Sequence, residues 1–180
     1  LREKLPSSSA ISSNMFQSFK LAEQCTTQRG AKYCNLSNNG SKVTLFPTLQ
    51  AVVTPFGPGN FDKDLTATRL TLELRCNQDM VTYFDQFDEW SKAYLLEHSE
   101  RLFGKALSRQ QIQECYHPTM KRHASNTYDP NLRTKIDTQA RREITYWPPA
   151  GVKREAPTDR SRVTVVPALD IPTLWIMNSY

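Results

Sequence analysis

The chain has 180 residues, of which 38% are hydrophobic and 11 are prolines, and a formal net charge of +5. That length is enough for one ordinary domain with its own core, without staples, and no apolar run approaches the ~20 residues of a membrane span. The charge is uneven: residues 1–100 carry 10 Lys/Arg against 11 Asp/Glu, and residues 101–180 carry 13 against 7. A basic second half suits a phosphate backbone or another acidic surface.

Residues 1–28 are polar and Ser-rich, with a short apolar patch at Met15, Phe16 and Phe19. They read as an extended arm that orders against a partner. No signal-like apolar segment opens the chain, which starts at Leu1 rather than Met. Any targeting segment would lie in a part removed ahead of it, and nucleus and organelle both stay open.

Residues 29–180 read as one domain. Residues 31–36 form a first strand candidate, and Asn38-Asn39-Gly40 a turn. Residues 42–53 form a second, with Val43, Leu45, Leu49, Ala51 and Val53 on one parity and Pro47 marking a bulge or edge. In 66–76, Leu70, Leu72, Leu74 and Cys76 alternate with Thr71, Glu73 and Arg75, the cleanest strand of the chain. The period then changes. Residues 79–102 step by three or four through Val81, Phe84, Phe87, Tyr94, Leu95, His98 and Leu102, as one long helix does. Asn77 or Asp79 supplies its N-cap and Gly104 its stop. Ser108 and Gln111 form a capping box for a short helix over 109–115. Helical insertion is thus expected over about 79–115. Basic strands follow at 119–123 and 131–138, then a polar loop with Trp147, then strands at 162–169 and 173–177.

The four cysteines, Cys25, Cys34, Cys76 and Cys115, match no zinc module. Buried free thiols are expected, with a Cys25–Cys34 disulfide left open. Cys115 and His117 are two residues apart at a helix end and do not face each other, so they make a poor nucleophile pair. Asp85, Asp88 and Glu89 suit the solvated face of a helix. Gly57-Pro58-Gly59 lacks the lysine and following helix of a phosphate loop. The residues thus point away from an enzyme, and they imply no metal and no cofactor.

Single-strand binding needs a positive groove and aromatic faces on which bases stack. Lys121, Arg122, Arg133 and Lys135 lie on the two basic strand candidates, with Arg133 and Lys135 on one parity. Tyr128 and Trp147 lie in adjoining loops. A mainly β chain with one inserted helical segment fits an OB-like open Greek-key barrel.

Phe103-Gly104-Lys105, Ser108, Ile112, Tyr116 and Pro118, followed by Tyr128, Pro130, Leu132 and Lys135, resemble a pattern in single-stranded DNA-binding proteins of large DNA viruses. These are distant relatives of phage-type OB-fold binding proteins, and virus-derived copies occur in protist genomes. The match covers about residues 66–138, and the segment 161–177 is similar to the family's penultimate strand pair. The resemblance implies an OB fold that binds single-stranded DNA without catalysis. It implies Lys105, Arg133 and Lys135 as backbone contacts and Tyr128 as a stacking residue. The family's final closing strand and acidic tail have no counterpart here, so an open barrel edge is expected. That edge and the 1–28 arm suggest the alternative: an OB-derived structural or accessory subunit that binds neighbouring proteins in a large assembly.

Overall fold

The computed structural model describes residues 15–59, 69–125, 127–137 and 162–176. In chain order the strands before the helices are β1 (Phe19–Thr26), β2 (Lys32–Asn38), β3 (Ser41–Lys42), β4 (Thr44–Leu45), β5 (Val52–Thr54) and β6 (Arg69–Arg75). The helices are α1 (Gln78–Glu97), α2 (Ser99–Phe103) and α3 (Arg109–Cys115). The remaining strands are β7 (Asn131–Asp137), β8 (Val163–Val165), β9 (Leu169–Asp170) and β10 (Thr173–Ile176). The described residues are mainly β, in several small sheets, with no closed barrel among them. No described helix is long and apolar enough to cross a membrane.

The described residues group into two compact units. The first takes 1–45, 85–117 and 169–180; the second takes 46–84 and 118–168.

In the first unit β2 lies between β1 and β10, all antiparallel. Cys34 and Leu36 of β2 and Leu21 of β1 are buried on one face. Residues 15–26, part of the segment read as an arm, hold β1 and the buried Phe16, Phe19 and Leu21. Phe16 and Phe19 touch each other, and their rings meet Phe87 and Trp90 of α1 at centroid distances between 5.6 and 6.1 Å. The apolar patch in a polar segment is thus the part of that segment that packs. Residues 1–14 lie outside the described residues.

The outer edge of β1 is closed by side chains. Leu36 N–H donates to Pro172 O on the β10 side, so its partner Leu21 turns its own backbone groups away from β2. There the Leu21 N–H donates to Tyr94 Oη at 3.3 Å, and Arg101 Nη2 donates to Leu21 O at 3.2 Å. The register of β1 slips beyond Leu21, as at a β-bulge.

The long helix expected over 79–102 ends at Glu97 and resumes at Ser99, with His98 between. Gly104 then stops α2 at φ 72°, a left-handed conformation that a Cβ disfavours. Ser108 and Gln111 form the capping box of α3. Buried Asp88 accepts from Tyr116 Oη at 2.9 Å.

In the second unit Asn77 caps α1: its Oδ1 accepts from Met80 N–H at 3.0 Å. Its Nδ2 donates to Thr48 Oγ1 at 3.1 Å, which ties down the loop after β4. The strand expected over 42–53 breaks at Pro47. Val43 and Leu45 are buried before it, but Leu49 is 84% exposed and Val52 and Thr54 are buried after it. The imino ring interrupts the ladder, and the inward parity changes. Leu70, Leu74, Leu132, Cys76, Met80, Phe84 and Met120 are the buried apolar residues around β6 and β7. All four cysteines are free. Cys34 is paired with Gln24 rather than Cys25, so neighbouring parity turns the two thiols to opposite faces and no disulfide joins them.

Candidate nucleic-acid interface

β6 and β7 pair in perfect antiparallel alternation, with Leu74 opposite Leu132, Leu72 opposite Thr134 and Leu70 opposite Ile136. That set forms the inner face, with Leu70, Leu74 and Leu132 buried. The other set is Arg75 opposite Asn131, Glu73 opposite Arg133 and Thr71 opposite Lys135. Period 2 sends those six side chains outward together.

Two single bridges widen this face. Asn131 and Lys121 exchange both backbone hydrogen bonds at 3.0 and 2.8 Å, and Thr71 does the same with Gly59 at 2.6 and 2.9 Å. Directly opposed residues share a face, so the rows read Lys121–Asn131–Arg75, Arg133–Glu73 and Lys135–Thr71–Gly59. Lys121, Arg75, Arg133 and Lys135 are all exposed, and Glu73 is half-buried. None of these four cations forms an ion pair among the described residues.

The bridges also set the phase of the ladder. Thr71 and Asn131 point their backbone groups away from each other, so the outward pairs are all non-hydrogen-bonded ones. Such pairs bring side chains closest, with Cα atoms about 4.5 Å apart. The charges are therefore dense on a small patch.

Tyr128 is 67% exposed and touches His123 edge-on, centroids 5.3 Å apart. It is not buried under its loop. His123 Nδ1 in turn accepts from Ser125 N–H at 3.3 Å and lies 2.7 Å from Ser125 Oγ, which shapes the loop that presents the ring. The loop re-enters β7 through Cys76 N–H donating to Pro130 O at 2.8 Å. Burial pushes the Cys76 thiol up to about 11, opposed by the Leu132 backbone hydrogen bond and by the Arg122 charge.

Of the residues expected from sequence, Lys121, Arg122, Tyr128, Arg133 and Lys135 all fall in the second unit. The 119–123 segment is not a strand; it contributes only the bridge at Lys121. Arg122 is exposed. Lys105 is exposed but belongs to the first unit, in the turn after Gly104. Trp147 lies outside the described residues. Arg75 shares its parity with Glu73 and Thr71 in the sequence, and only the pairing puts it beside Asn131. Phe46 and Phe56, the latter 74% exposed in the loop before Gly59, are further exposed aromatics of this unit.

A face of this kind holds anions by charge, and an exposed ring such as Tyr128 offers a planar group a surface to stack on. Compared with known proteins, the chain matches no family model, no curated protein and no solved structure.

Proposed function

We propose that the chain is a non-catalytic single-stranded DNA-binding protein that holds the strand on its β6–β7 face. The observation that carries this reading is the set of Lys121, Arg75, Arg133 and Lys135 on one exposed face, with Glu73 the one carboxylate among the described side chains there. Tyr128 supplies an exposed ring in the same unit. Counterion release from the strand drives such binding, and stacking adds to it without regard to sequence. The OB-like part of the proposal rests on the mainly β chain, the helices inserted between β6 and β7, and the resemblance over 66–138. In it, Lys105, Arg122 and Trp147 are further contacts to the strand.

Anisotropy of a labelled oligo(dT) titrated with the full chain tests this. Binding at low salt is expected to weaken steeply as salt rises, with a log–log slope of about −0.7 per neutralised phosphate. No binding at low salt would sink the reading.

A second reading is an OB-derived structural subunit of a larger assembly. It is favoured by β10, which pairs only with β2 among the described residues and so leaves one edge open. An open edge recruits strands from other chains. A purified chain that stays monomeric and binds oligo(dT) tightly counts against it.

A further inference from the structure

The sheet of the first unit has an outward face as well as a buried one. Opposite the buried set of Cys34 and Leu36, the outward residues of β2 are Tyr33, Asn35 and Ser37. Tyr33 pairs with Trp175 of β10, and Asn35 with Thr173. Ser37 pairs with Lys20 of β1 on one side and Lys42 of β3 on the other. Lys42 is engaged by Asp170, while Lys20 forms no ion pair among the described residues.

The two rings meet at 5.4 Å between centroids and 43° between planes. They sit at a non-hydrogen-bonded pair, because Leu36 N–H points toward β10 and Tyr33 is out of phase with it. That position explains the close approach. Trp175 nonetheless keeps 56% of its surface exposed. That leaves the indole open to a planar ligand. The face carries the Cys25 thiol directly opposite Tyr33 and, further along, amide, hydroxyl and ammonium groups. A protein-docking surface is typically built round a desolvated apolar centre, whereas a base-binding surface combines open rings with hydrogen-bonding groups and cations.

We infer that Tyr33 and Trp175 form a stacking platform for the unpaired bases of single-stranded nucleic acid, with Lys20 and the Asn35, Ser37 and Thr173 side chains beside it for backbone and base edges. The inference rests on the single-strand reading and assigns it a second contact surface, on the first unit. Neither ring is legible as a site from sequence, because Tyr33 and Trp175 lie far apart in the chain.

The experiment titrates a fluorescein-labelled fifteen-residue oligo(dT) with the full chain, its Trp175→Ala, Trp175→Phe and Tyr33→Ala variants, and Lys135→Ala. Circular dichroism and size exclusion accompany each variant. Trp175→Ala is expected to weaken binding about 5- to 150-fold, the loss seen when one stacked base is released. Trp175→Phe keeps a ring and is expected to retain most of the affinity. Binding should also quench the intrinsic tryptophan emission of the unaltered chain, and less so in Trp175→Phe. If the unaltered chain binds, Lys135→Ala weakens it and Trp175→Ala does not, the platform is overturned while the β6–β7 reading stands. If the unaltered chain does not bind at all, both fall. If Trp175→Ala alters only the oligomeric state, the face is a protein interface and the platform is again overturned.

Discussion

Glu73 faces Arg133 across the β6–β7 ladder at a non-hydrogen-bonded position, yet the two side chains form no ion pair. On an exposed surface the gain from such a pair rarely exceeds the entropy of fixing two long side chains. Arg133 is left available for a phosphate, and Glu73 remains as a local repulsion. Glu73→Gln is therefore expected to tighten oligo(dT) binding about two- to fivefold, as charge effects of this exposed kind allow. Anisotropy at two salt concentrations checks it. The gain should shrink at the higher one.

Arg75, Arg133 and Lys135 form one electrostatic set. Replacing any one with Ala should lower the slope of log affinity against log salt by about 0.7, provided it contacts one phosphate. Thermal stability should change little, since all three are exposed. A variant that loses affinity with no change in slope would remove that residue from the set.

Phe16 tests whether the segment before β1 belongs to the core. Its ring is 3% exposed and lies against Phe19, Phe87 and Trp90. Phe16→Ala is expected to cost about 3–5 kcal/mol in urea unfolding. A cost below about 0.5 kcal/mol, the range of surface substitutions, would return the segment to the status of an arm.

Tyr116→Phe removes the hydroxyl that donates to Asp88, a carboxylate only 6% exposed. The expected loss is about 1–3 kcal/mol, since the acceptor stays behind in a desolvated place. Urea unfolding of Tyr116→Phe and of Asp88→Asn measures it. The amide variant keeps an acceptor for the Tyr116 hydroxyl and should lose less than Asp88→Ala.

Cys76 gives an alkaline signature. Its thiol is pushed from 9.0 to about 11 by burial. Between those values the folded chain keeps a proton that the unfolded chain releases. Stability from this group is complete below about pH 9 and falls as pH rises toward 11, by ~2–3 kcal/mol in all. Urea unfolding at pH 8 and pH 10.5 should show a smaller decline for Cys76→Ala than for the unaltered chain. Equal declines would mean that the thiol is hydrated in the folded state.

The features legible in the sequence are those that depend on neighbours within a few residues. Period-2 alternation announced β6 and β7, and the shared parity of Arg133 and Lys135 with it. The Ser108–Gln111 box and Gly104 marked helix ends because caps satisfy local backbone groups. Local pattern misled where one residue changes phase: Pro47 reversed the inward parity between Leu45 and Val52. At 15–26 the polar composition hides the three apolar residues, Phe16, Phe19 and Leu21, that are buried.

What the tertiary structure alone decided is which strands are neighbours. Pairing set Arg75 beside Asn131, brought Lys121 into the same row, and put Tyr33 against Trp175. A strand's sequence sets which side chains share its face, since the backbone repeats every two residues. It does not set which distant strand lies alongside, because that choice depends on burial and register summed over the whole unit. The composition of each face was therefore written locally, and the surface those faces make together was not.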